Sequence, residues 1–252
     1  MIKTNQAIIK RRDFILKRVV GITFIEIIII FGLLHPTEIK GKGSCKYANT
    51  TINIRAKPNI NSKIIGKIYW NDRVKIHKAE NKKWAVINYK GKKRYLCKRY
   101  LQNRKHKYKS YSSPSSKTFK SFEDSKCITN NKNIPQGKLK SEYHLDHHSG
   151  VWMVGNRYCI AVGSYYTKEI GVKIDLVLSS AMGRKHILKC IAADSKSDND
   201  TTNNHRVHKK DGSVVEFIVK TKYLPTKAKT MGDISYCGQK FKGKIKEIRV
   251  YK

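Results

Sequence analysis

The sequence predicts a mainly β protein with one N-terminal transmembrane helix, a small β-barrel and a C-terminal β-barrel. Three observations carry this. Val19 to Leu34 is an almost wholly apolar run that follows a basic stretch. From Ala48 to Gln102, and again beyond Cys127, short alternating runs rich in Val, Ile and Tyr are divided by Gly, Asn, Asp and Pro, the pattern of strands and turns. No long segment carries the apolar period of an amphipathic helix.

The N-terminal segment comes first. Residues 1–18 carry Lys3, Lys10, Arg11, Arg12, Lys17 and Arg18, and the run VVGITFIEIIIIFGLL follows. At ~1.5 Å rise per residue it covers about 24 Å, somewhat short of a hydrocarbon core of about 30 Å. A charged Glu26 would cost roughly 2–3 kcal/mol there, which the surrounding Ile and Leu residues offset. Leu33 to Thr37 offers no small-x-small cleavage site, so residues 19–35 read as an uncleaved signal anchor in the cell membrane, single-pass. The positive-inside bias puts residues 1–18 in the cytoplasm and the later domains outside.

Lys and Arg number 54 against 18 Asp and Glu, a net charge of +36, which points to a polyanionic partner. Teichoic acids, nucleic acid and anionic lipid all qualify, and charge alone does not name the partner; the membrane is engaged through the one helix. A nucleic-acid partner is disfavoured, because it needs an intracellular location. The six cysteines show no CxxC spacing, which argues against a structural zinc site. Cys159 and Cys190 lie within apolar runs and read as buried thiols. The HLDHH stretch (His144, Asp146, His147 and His148), with His205 and His208, has ligand types for zinc, but it is polar and strandless and reads as a solvated loop. No metal and no cofactor is expected.

Residues 48–102 read as five short strands. Ile52 and Ile54 point one way and Asn53 and Arg55 the other, while Lys90-Gly91-Lys92 makes a hairpin turn. The text INIRAKPNINSKIIGKIYWNDRVKI, followed by WAVINYKGKKRYLCKRYL, resembles the bacterial SH3 (SH3b) family from end to end. The resemblance implies an SH3-like barrel whose partners are peptidoglycan or teichoic-acid-type wall polymers, with Trp84, Tyr89 and Tyr95 as candidate ligand-binding aromatics. Lys82, Lys83, Lys90, Lys92, Lys93 and Arg94 are candidates to meet wall phosphates.

Residues 103–126 are basic and Ser-rich without apolar periodicity, and read as a flexible linker. In 127–252, strands are expected at Tyr158–Val162, Val172–Leu178, His186–Ala193, Val214–Val219 and Lys244–Val250, enough for a closed or nearly closed barrel. Their order, through YCIAVG, IGVKIDLVL, ILKCIAAD and GSVVEFIV, resembles the double-psi β-barrel of three-aspartate (3D) wall-lytic domains. The resemblance implies catalytic roles for Asp194 and Glu216, at the second and third acid positions. Glu216, expected by the strand's period of two to share one face with the apolar Val214 and Ile218, would be the proton donor, and Asp194 would orient substrate. The first acid position falls at or near Gly163, and Ser195-Lys196 replaces the family's Thr-Gly-Gly. With those departures the sequence favours a wall-binding protein without catalysis; the alternative is a lytic-transglycosylase-like enzyme with the barrel as catalytic domain.

Overall fold

The computed structural model describes residues 43–252; the basic flank 1–18 and the anchor 19–35 lie outside the described residues. Among the described residues no helix is long and apolar enough to cross a membrane. The chain divides into two compact units, one ending at Asn103 and the other running from Arg104 to Lys252.

The first unit contains β1 (Ser44–Ala48), β2 (Ile52–Arg55), β3 (Ile64–Ile68), β4 (Arg73–Ile76), β5 (Lys78–Ala79), β6 (Trp84–Tyr89), β7 (Lys92–Cys97) and β8 (Leu101–Gln102). They form a five-stranded sheet in the order β3-β2-β7-β6-β5 and a three-stranded sheet in the order β4-β1-β8. Strand alternation sends Ile52, Ile54, Ala85, Ile87 and Leu96 into one core with Val74 and Ile76. The β6–β7 hairpin turns on Lys90 and Gly91, both with positive φ (53° and 75°), the geometry that matches the right-handed twist of the flanking strands.

The second unit contains β9 (Tyr108–Ser112), β10 (Ser121–Asp124), β11 (His144–Asp146), β12 (Val151–Val154), β13 (Arg157–Val162), β14 (Lys173–Ser179), β15 (Lys185–Ser195), β16 (Thr201–Thr202), β17 (Val207–His208), β18 (Val215–Val219) and β19 (Lys244–Tyr251). Nine of these make one mixed sheet, in the order β10-β18-β12-β13-β15-β14-β19-β9 with β11 on β12. β16 and β17 form a separate small hairpin. Two pairs are parallel, β13 with β15 and β10 with β18; the rest are antiparallel. One face of the sheet buries the main core, which includes Ile160, Leu176, Leu188, Phe217, Phe241 and Ile248. The other face carries a smaller cluster of Ile128, Cys159, Ala161, Ile191, Ala193 and Ile218, with Leu139, Tyr143 and Trp152 packed against it. A buried ion pair, Arg157 to Asp175 at 2.9 Å, is satisfied further by the Ile174 and Cys190 carbonyls and by the Tyr251 hydroxyl, so it ties β13, β14, β15 and β19 together. All six cysteines are free, and Cys159 and Cys190 are fully buried.

The stretch 103–126, expected as a flexible connector, is built into the second unit. β9 lies along β19, and β10 runs parallel to β18. β9 carries little apolar patterning because it is an exposed edge strand, held by backbone hydrogen bonds rather than by burial. The approach to β10 is fixed by Lys120, whose ammonium is buried and donates to the Thr118 carbonyl, the Ser235 hydroxyl and the Gly243 carbonyl. Burial lowers its pKa to about 8 against the opposing charge of Asp233.

Candidate functional site

A row of polar side chains crosses the outer face of the second unit's sheet. In β18, Val215, Phe217 and Val219 fill the main core, so Glu216 and Ile218 point to the opposite face. Val214, expected to share the face of Glu216, lies in the main core instead. In β13, Ala161 lies on that outer face and pairs with Glu216 on one side and Asp194 on the other. Strict alternation along β15 would turn Asp194 inward with Cys190 and Ala192. The register shifts between Ile160 and Ala161, so Ala161 pairs with Asp194 and skips Ala193, and this bulge re-aims the carboxylate onto the face of Glu216. Two strand spacings, about 9–10 Å, separate the two Cα positions, with only the Ala161 methyl between them.

The row continues to β10, where Ser121 pairs with Glu216 and Glu123 with Ile218. The Ser121 hydroxyl lies 2.8 Å from Ser213 Oγ and 3.3 Å from Glu216 Oε1. Lys196, its side chain 2% exposed, places Nζ 3.5 Å from Glu216 Oε1 and donates to both oxygens of Ser213 at 3.0 Å. Glu216 therefore ion-pairs with Lys196 and shares only Ile218 of the apolar company expected for a proton donor. Burial lowers the Lys196 pKa, and the charges of Glu216 and Asp211 oppose that.

Glu123 is the residue that the sequence reading missed. Its half-buried carboxyl makes no hydrogen bond or ion pair with the described residues. Burial, then the charges of Asp194 and Glu216, push its pKa up to about 7, with Lys196 pulling the other way. Burial also raises Asp194, while the Ser195 N–H (2.9 Å) and the Gln136 side chain hold it down. Gln136 comes from the short helix Pro135–Lys140, whose Leu139 packs on the outer cluster. The row thus holds one carboxylate paired with a cation beside an acid that is half-protonated near neutral pH.

Gly163 is closely covered. A Cβ there would lie 1.8 Å from the His205 carbonyl oxygen, so no side chain fits. The occupant, His205, belongs to the turn between β16 and β17. His208, Asp211 and Glu216 bring ligand-type atoms within 4.8 Å of one another, but Lys196 already supplies the cation beside Glu216. In HLDHH, Asp146 is structural. Burial alone would raise its pKa, yet bonds from Lys240, Ser149 and the Tyr158 hydroxyl hold it at about 2.

In the first unit, a groove of about 950 Å³ runs past Trp84, Cys97 and Tyr100. Trp84 is a buried hydrophobic residue, 9% exposed, that also lines this groove. Tyr89 does not line it. Its ring end covers Gly66, where a Cβ would meet the hydroxyl at 2.6 Å, and it packs on the core. Tyr95 is half-buried with the Lys93 ammonium 5.3 Å from its ring, and it too lies outside the groove lining. Arg55, Lys82, Lys83, Lys98 and Arg99 line the groove, and none of its described lining residues is acidic.

Residues 50–102 match the family model of the bacterial SH3 domain. The chain is also 31% identical over 70 residues to YfhK, an uncharacterized protein of Bacillus subtilis (strain 168), an alignment covering 27% of this chain and 41% of YfhK.

Proposed function

We propose that the chain is a membrane-anchored, extracellular wall-directed protein whose SH3-type unit engages wall polymer and whose second unit cleaves its glycan. The observation that carries the catalytic reading is the bulged register that puts Asp194 and Glu216 on one sheet face with Glu123. The two parallel strand pairs wrapped on one core support the double-psi-like description of that unit. Wall direction rests on the SH3 match at residues 50–102.

In this reading Glu123 protonates the leaving glycosidic oxygen, since it is the acid that keeps a proton near neutral pH. The Glu216 carboxylate, paired with Lys196, stabilises the positive charge that develops on the sugar ring, and it then takes the proton of the hydroxyl, from water or from the sugar's own C6, whose oxygen bonds to the anomeric carbon. Asp194 and Gln136 hold sugar hydroxyls. Purified full-length protein incubated with wall sacculi should release soluble glycan fragments, and intact sacculi despite binding would leave only the non-catalytic wall-binding reading. The anchor rests on the apolar run 19–34 after six basic residues. External protease should digest the chain beyond His35 in wall-stripped cells, and full protection there would refute the topology.

A further inference from the structure

The groove of the SH3-type unit is lined by cations and by no acidic residue among those described. Arg55 ends β2, Lys82 and Lys83 precede β6, and Lys98 and Arg99 follow β7, so five cations border one groove floored by Trp84. None of the five makes an ion pair with a described carboxylate. The contrast is Lys93, outside the groove, which pairs with Glu80 at 3.2 Å. Inside the groove these cations bond to uncharged atoms: Arg55 donates to the Ser62 carbonyl at 2.7 Å, Lys98 reaches the Asn81 carbonyl at 3.5 Å, and Arg99 donates to the Tyr100 hydroxyl. Arg99 lies over the Tyr100 ring at 4.6 Å.

Five uncompensated cations in one groove leave a strong positive potential that a ligand has to meet. A short peptide with one or two carboxylates would leave most of them unmatched, whereas a chain with a phosphate in every repeat matches them along the groove, its carbon backbone resting on Trp84. We propose that this groove binds a phosphodiester-linked polyol polymer attached to the wall. The inference rests on the wall-directed reading above and names its ligand.

The test measures retention of the detergent-solubilised full chain on sacculi, native or stripped of phosphodiester-linked polymer with hydrofluoric acid. Wild-type protein should bind native sacculi at least about tenfold better than stripped ones, with steep loss at high salt. Lys83→Glu with Arg99→Glu should bring native binding down to the stripped level. Lys63→Glu with Lys67→Glu, two exposed lysines of the same unit outside the groove lining, makes the same charge change and should retain native binding. Cys97, which lines the groove, should be alkylated more slowly when the polymer is bound, and the exposed Cys127 of the second unit should not. Equal binding to native and stripped sacculi would overturn the proposal and leave the wall-directed reading standing, since a peptide or glycan would then be the ligand. Equal losses from both charge-reversed pairs would overturn it in favour of diffuse attraction, as would binding to phosphatidylglycerol vesicles in preference to native sacculi. No binding to either kind of sacculus would overturn the wall-directed reading itself.

Discussion

Glu216→Gln is expected to slow sacculus digestion by about 10²–10⁴-fold, the range seen when a positioned acid or base is removed. The swap keeps the side chain's shape and leaves an oxygen for Ser121 and Lys196, which lie 3.3 and 3.5 Å from Oε1. The negative charge is what disappears. Lys196 retains its two bonds to Ser213, so the unit should still fold, and an unchanged circular dichroism spectrum would show that activity was lost without structure. Digestion at a near wild-type rate would take Glu216 out of the chemistry.

Glu123→Gln should produce a comparable loss together with a gain in stability, and the combination is diagnostic. The sign follows from the raised pKa. An unfolded Glu loses its proton near 4.5 and the folded one near 7, so stability is fully present below about 4.5 and declines as pH rises through that window. Gln carries no such penalty. At pH 8 the variant should be more stable by roughly 1–3 kcal/mol, the pKa difference discounted for partial exposure, and at pH 4.5 by almost nothing. A melting series at both pH values, run beside the digestion assay, reads this directly. A residue serving only the fold would lose stability when replaced; one held in an unfavourable setting for its chemistry gains it. Lost digestion without the pH-dependent gain would assign Glu123 to structure.

The legible part of this molecule was its regular alternation. β2, β6, β13, β14, β18 and β19 follow from apolar residues at every second position, since each buries one or both faces. The Lys90-Gly91 hairpin followed from turn chemistry. Edge strands escaped because they need no apolar pattern: β9 reads YKSYS and is almost wholly exposed. β10, four residues reading SFED, is too short to show a period, and Glu123 was passed over with it.

The candidate sites divide in the same way. Asp194 and Glu216 could be named from the resemblance, but a bulge has no sequence signature, so nothing in CIAADS announces that Asp194 turns to the face of Glu216. Nor does alternation separate a packed aromatic from a groove-lining one. Trp84, Tyr89 and Tyr95 look alike in the sequence; only Trp84 lines the groove, while Tyr89 covers Gly66.

If the row of Glu123, Asp194 and Glu216 cleaves wall glycan, product release should follow the protonation of Glu123 across pH. Sacculi incubated with the full-length protein at pH 6, 7 and 8 would be scored for soluble muropeptides by mass spectrometry. With a donor titrating near 7, about nine-tenths of Glu123 is protonated at pH 6 and about a tenth at pH 8. Glycan fragments are expected at pH 6, with a fall of roughly tenfold by pH 8 that follows the protonated fraction. Sacculi that bind the protein yet keep their glycan chains intact at every pH would contradict it.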